Sequence, residues 1–149
     1  MKRANVLRLV AILAVVVLAS MTTGCLKATI SLDVVLNPTE YTVGDCLEGT
    51  MTVIATGIGK AGVYTTLTVE FLDDLGEAQE GATLTVKDLQ IWVTPVGNEQ
   101  QPFELVGYEL AVPAEALGAA KVRFTLTGGG LAVIPIFDTV DITVASPVS

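Results

Sequence analysis

The chain has 149 residues, with sixteen acidic side chains, eight basic ones and no histidine. The missing imidazole excludes Ser-His-Asp and Cys-His catalysis and histidine-ligated zinc. A formal net charge of −8 argues against nucleic acid as a partner.

The chain opens on the basic residues Lys2, Arg3 and Arg8, then runs apolar from Leu9 to Ala19. Met21-Thr22-Thr23-Gly24-Cys25 follows. This order of basic start, apolar run and small residues is that of a secretory signal. The run of about 11 residues is short of the roughly 20 that a membrane-spanning helix needs. Residues 21–25 resemble the lipobox of bacterial lipoproteins, with Gly24 immediately before the cysteine and Thr22 where the family usually has Leu. The resemblance implies that residues 1–24, a signal helix, are removed and that Cys25 becomes a lipidated N-terminus. It implies an extracytoplasmic protein anchored at the bacterial cell envelope. Leu26 follows Cys25 with no Asp there, which by family analogy favours the outer membrane where the host has one. Two or three acyl chains, at about 0.8 kcal/mol per buried CH₂, give stable anchoring.

Three of the eight basic residues leave with that segment and no acidic residue does. Five basic residues then face sixteen acidic ones over residues 25–149, a length that suits one domain with a real core. Such a surface argues against docking on anionic headgroups and is compatible with cations or basic partners. With Cys25 lipidated, Cys46 has no intrachain partner and cannot build a thiolate metal cage. It is then expected as a buried small hydrophobe. Without lipidation, a Cys25–Cys46 disulfide becomes open in an oxidising compartment.

From Thr29 onward the dominant period is two, the mark of half-buried strands. Ile30, Leu32, Val34 and Leu36 alternate with more polar neighbours until Asn37-Pro38 breaks the run. Leu47, Met51 and Val53 do the same. A turn spans Thr56 to Gly62, and the alternation of Val63, Thr65, Leu67, Val69 and Phe71 leaves Tyr64 on the polar face. Asp73 to Gly81 is the next loop, Leu84 and Val86 the next strand, and Ile91-Trp92-Val93 a short apolar one ended by Pro95-Val96-Gly97-Asn98. Phe103 to Val112 is expected as a strand with a bulge at Gly107. Pro113 to Gly118 is expected as one helical turn, and Val122, Phe124 and Leu126 as a strand. Gly128 to Gly130 forms a turn, Leu131 to Ile136 an edge segment interrupted by Pro135, and Phe137 to Val144 the closing strand. The whole reads as an all-β fold, an antiparallel immunoglobulin-like β-sandwich of about seven to nine strands. With strands starting by Thr29, the reach from Cys25 is about 10–15 Å at roughly 3.3 Å per residue. The domain is therefore expected close to the bilayer.

The run Tyr41-Thr42-Val43-Gly44-Asp45-Cys46-Leu47-Glu48-Gly49-Thr50-Met51-Thr52-Val53 resembles a phrase of bacterial immunoglobulin-like and arrestin-like sandwiches. Gln101 to Glu104 and Leu110 to Pro113 resemble their strand, proline and short turn. The chain departs from the immunoglobulin-like pattern at Ala119-Ala120, where a corner Tyr often stands, and it has no inter-sheet disulfide pair. Domains of this kind mostly serve as adhesion, spacer or binding modules, and fold alone does not fix function.

Gly57-Ile58-Gly59 and Gly128 to Gly130 lack the context of phosphate loops and read as turns. Asp73, Asp74, Glu77 and Glu80 form the one acidic cluster, a candidate calcium site whose spacing does not match an EF-hand. Trp92 reads as a core or sheet-face residue, and Tyr64 as the better candidate for ligand contact. The expectation is a non-enzymatic, lipid-anchored binding or structural module without a cofactor, held to the membrane by its lipid and meeting a protein or glycan partner. Two other readings stand beside it: an assembly or chaperone-like accessory using strand addition, and a calcium-dependent adhesion module.

Overall fold

A computed structural model describes residues 28–129 and 134–147. The signal segment and Thr22, Thr23, Gly24 and Cys25 lie outside the described residues.

The described chain is built of ten strands: β1 (Thr29–Leu36), β2 (Glu40–Thr42), β3 (Gly49–Ile58), β4 (Gly62–Leu72), β5 (Ala78–Val86), β6 (Ile91–Val93), β7 (Val96–Glu104), β8 (Lys121–Gly129), β9 (Ile136–Asp141) and β10 (Thr143–Ala145). Two short 3-10 turns, Leu105–Tyr108 and Ala114–Ala116, connect β7 to β8. One sheet has the order β1-β3-β7 and the other β5-β4-β8-β9, all antiparallel. The short strand β6 pairs with Gly62–Tyr64 of β4, beyond the stretch that pairs with β5. β10 and β2 form a small parallel pair. The all-β antiparallel sandwich is thus as the period-two pattern predicts, with slightly more strands than expected.

The alternating residues supply the core. Leu32, Val34 and Leu36 of β1 and Met51, Val53 and Ala55 of β3 face Leu67, Val69 and Phe71 of β4 and Val122, Phe124 and Leu126 of β8. Each fully buried side chain of this size contributes about 1.5–3 kcal/mol relative to exposure.

The two sheets also meet along both edges. On one side β1 lies beside β9, and the Val34 N–H donates to Asp138 Oδ2 at 2.7 Å. On the other side Gln101 Nε2 of β7 donates to the Trp92 carbonyl of β6 at 2.9 Å. Along β1 and β9 this contact covers the unpaired backbone that an edge strand otherwise presents, whereas β7 and β5 remain edges of their sheets.

Gly128 and Gly129 close β8 where a turn was expected, and β5 begins at Ala78, inside the loop expected over Asp73 to Gly81. Four further expectations are corrected. The strand expected over Phe103–Val112 ends at Glu104, and Leu105–Tyr108 is a 3-10 turn in place of a bulge at Gly107. Glu109 in the left-handed conformation, φ 52°, ends that turn, while Leu105 and Leu110 on either side drop into the core. Val96–Glu104 is a strand where a turn was read, because its polar residues line an exposed edge and show no apolar face. Cys46 is exposed, not buried: it forms an isolated bridge with Ala111 and the inward position belongs to Leu47. Tyr64 is the fourth.

Candidate functional site

Tyr64 is fully buried, not on a polar face. The pairing of β4 with β8 slips between Tyr64 and Thr66, and this bulge turns Tyr64 to the same side as Leu67. Its partner across the strand is Gly128, where an added Cβ would stand 2.0 Å from the Val63 carbonyl oxygen. Close backbone approach therefore demands glycine there. The Tyr64 hydroxyl donates to the Ile134 carbonyl at 2.9 Å, and burial raises its pKa above 10.0. Tyr64 is a core residue that ties β4 to the segment before β9, and it offers no ligand contact.

Trp92 stands on the outer face of β6, next to Val63 and 63% exposed. It is the only tryptophan in the chain. The sequence left Trp92 between core and sheet face; the alternation of Ile91 and Val93 inward turns it outward.

The acidic residues Asp73, Asp74, Glu77 and Glu80 follow β4 and enter β5. Asp73 Oδ1 accepts the N–H groups of Leu75 and Glu77, both at 2.9 Å, so this carboxylate shapes its own turn. Among the described residues no three acidic or cysteine side chains stand together as a ligand set for a metal ion.

Two of the shallow hollows on the described surface are lined by charged side chains. One, of about 300 Å³, is lined by Pro38, Tyr41, Asp45, Cys46 and Glu48. Tyr41 is buried there; its hydroxyl donates to the Glu48 carbonyl at 3.2 Å and accepts the Glu48 N–H at 3.3 Å. Desolvation raises its pKa, helped by the nearby Glu48 and Asp45 charges and opposed by the Glu48 backbone N–H. The other, of about 240 Å³, lies over Glu70, Arg123, Thr125 and Phe137. Arg123 donates through Nε and Nη2 to Glu70 Oε2 at 2.9 and 2.7 Å, the one ion pair among the described residues. A half-exposed pair of this kind contributes up to about 1 kcal/mol. The first hollow sets the exposed Cys46 beside Asp45 and Glu48, and the second holds the Glu70–Arg123 pair.

The last surface is the end of the sandwich at which the described chain starts. Ile58 pairs with Val96, and the Gly59 N–H donates to the Pro95 carbonyl at 3.2 Å. A Cβ built on Gly59 would stand 2.5 Å from the Cβ of Ala28, which places the start of the chain against this end. Val63 pairs with both Trp92 and Gly129 in the same row. Ile134 reaches it through the Tyr64 hydroxyl. Sequence reasoning missed this surface because its residues come from five separate turns and strand ends.

No family model matches the chain, and no curated protein matches it. Among solved structures it is similar to the sporulation control protein Spo0M of Bacillus subtilis, with TM-score 0.45 and 22% identity over 78% of this chain and 49% of that one. It is also similar to the alkylpurine DNA glycosylase AlkC of Pseudomonas fluorescens bound to DNA containing an abasic site analogue. That match has TM-score 0.43 and 10% identity, over 85% of this chain and 33% of that one. The chain spans about half the length of the first and a third of the second.

Proposed function

We propose that this chain is a lipid-anchored, non-catalytic binding or structural module of the bacterial cell envelope. The observation that carries the reading is the lipobox-like Met21 to Cys25 behind a basic start and an apolar run, four residues before β1 begins at Thr29. A signal of this form routes the domain out of the cytoplasm and leaves Cys25 to carry the lipid. The sandwich then presents its loops and outer faces to a protein or glycan at the envelope.

The strand edges support a module of this kind over an accessory that works by strand addition. β7 carries Pro102 together with Glu99 and Glu104, residues that discourage edge pairing. β5 is flanked by the Ala114–Ala116 turn, and β1 and β9 occupy each other.

The test is the intact mass of full-length protein extracted from membranes of an expressing bacterium, beside a Cys25→Ala variant. The expected mass is that of residues 25–149 plus two or three acyl chains, with the variant losing both the acyl mass and the membrane fraction. A lipid-free mass that changes by two hydrogens on reduction means a secreted domain closed by Cys25–Cys46 and overturns the reading.

A further inference from the structure

We infer that the end of the sandwich where the chain enters is a membrane-contacting surface, seated on the bilayer by Trp92, Val96, Ile58 and Ile134. The inference rests on the anchoring reading above and adds an orientation and a contact to it.

Charge is the first observation. The described residues of this end are 28–29, 56–64, 92–98, 127–129 and 134–136, with Glu99, opposite Ala55, and Asp88, next to the Leu89 that bonds the Thr65 carbonyl, at its margin. Within those ranges the one charged side chain is Lys60. The acidity that argues against membrane docking for the molecule as a whole is thus confined to the margin of the end where the chain enters. At the opposite pole stand Glu40, Asp45, Glu48, Asp73, Asp74 and Glu77, among others. An acidic pole facing away and an uncharged or basic pole facing a bilayer is the arrangement that electrostatics favours beside anionic lipid.

Apolar exposure is the second. Ile134 is 74% exposed, Val96 67%, Trp92 63% and Ile58 50%. Exposed apolar residues occur at the far pole as well, but there they are interleaved with acids: Leu75 lies between Asp74 and Glu77, and Val106 between Glu104 and Glu109. At the entry end the four apolar side chains share one surface, with the Glu99 carboxylate at its margin, held by the Gln101 amide that also bonds the Trp92 carbonyl. Tryptophan in particular suits the boundary between headgroups and acyl chains, since its ring is apolar and its N–H polar.

Reach is the third. Three residue steps separate Cys25 from Ala28, which lies against Gly59 at this end. At about 3.3–3.6 Å per residue the chain spans roughly 10 Å. With lipid on Cys25 inserted in the membrane, a tether this short leaves the entry end as the pole that meets the surface.

Trp92 makes the test direct, because as the only tryptophan it alone supplies indole fluorescence. Full-length protein purified from membranes is reconstituted into vesicles of phosphatidylethanolamine and phosphatidylglycerol, with and without lipids brominated high on the acyl chains. The expected result is a blue-shifted emission, several-fold quenching by the brominated lipid, and loss of quenching by aqueous iodide. Leu75→Trp in a Trp92→Phe background moves the reporter to the far pole and is expected to show none of these. Val96→Asp places a carboxylate on the surface and is expected to reduce lipid quenching while the protein still floats with the vesicles. A protein that floats with its acyl mass but leaves Trp92 open to iodide overturns the orientation and leaves the anchor standing. A protein that neither floats nor carries acyl mass overturns both. Shielding in detergent that grows with protein concentration assigns the surface to a second copy of the chain and overturns the membrane contact.

Discussion

Removing the Asp138 carboxylate should open the seam between β1 and β9. Asp138 Oδ2 receives the Val34 N–H at 2.7 Å, on the side of β1 that has no strand partner, and Val34 itself is 5% exposed. A hydrogen bond to a charged group contributes about 1.5–3 kcal/mol, and truncating its acceptor leaves the donor orphaned. Asp138→Ala is therefore expected to cost about 2 kcal/mol. For a domain of this size that corresponds to a fall in Tm of roughly 8 °C. Asp138→Asn keeps an acceptor oxygen and loses the charge, so about half that cost is expected. Urea unfolding checks both variants: the midpoint should fall in the order wild type, Asn, Ala, with the slope unchanged. Hydrogen exchange at Val34 should quicken in the Ala variant. Equal midpoints for wild type and Ala, or an Asn variant as damaged as Ala, would refute a carboxylate clamp between the sheets.

Three further outcomes follow from the packing. Gly128→Ala drives a Cβ to 2.0 Å from the Val63 carbonyl and should cost roughly 3 kcal/mol, whereas Gly107→Ala meets nothing within 4 Å and should stay within about 0.5 kcal/mol; thermal melts of the pair decide it. Cys46 should react with a maleimide in the folded protein, and Cys46→Ser should shift stability by no more than about 0.5 kcal/mol; a thiol protected until unfolding would contradict its exposure. All three tyrosines, Tyr41, Tyr64 and Tyr108, have pKa values raised above 10.0 chiefly by burial. The native state thus holds its phenolic protons more firmly than the unfolded chain. That stability is fully present below about pH 10 and is lost as pH climbs through the raised values. Urea midpoints should fall above pH 10, and ultraviolet titration should show less tyrosinate in folded protein than in the unfolded chain at the same pH; equal or greater ionisation in the folded protein would be the contrary result.

Most of the sandwich can be read from residue spacing, because a strand with one wet face writes its burial into alternate positions. β1, β3, β8 and the body of β4 are of this kind, and their inward residues are the ones the period selects. The spacing misleads where a strand carries an irregularity or lacks an apolar side. At Tyr64 the phase is reversed by a bulge whose cause sits on another strand, in the missing side chain of Gly128. The only local sign is Thr65-Thr66, two polar residues in succession. β7 is an edge strand of Gly, Asn, Glu and Gln, so nothing in its composition separates it from a loop. At Cys46 the chemistry of the residue suggested burial, while the parity set by Leu47 and Met51 put it outside. The acidic loop was legible as a turn, but the role of Asp73 in closing that turn depends on backbone geometry. The apolar entry end is the least legible feature, since it exists only when Ile58, Trp92, Val96 and Ile134 are brought together by the fold.

The seam between β1 and β9 also sets an order of events during synthesis. Val34 and Asp138 are 104 positions apart, and β2 likewise finds its partner only in β10. At about 5–20 residues per second, the first edge waits on the order of 5–20 s for the last strand to be made. Through that interval an unguarded β1 can pair with the wrong neighbour, as slow folders dominated by distant contacts are prone to do. A chain cut before Asp138 would remain in that condition permanently, with eight of its ten strands complete and the outer side of its first strand still open.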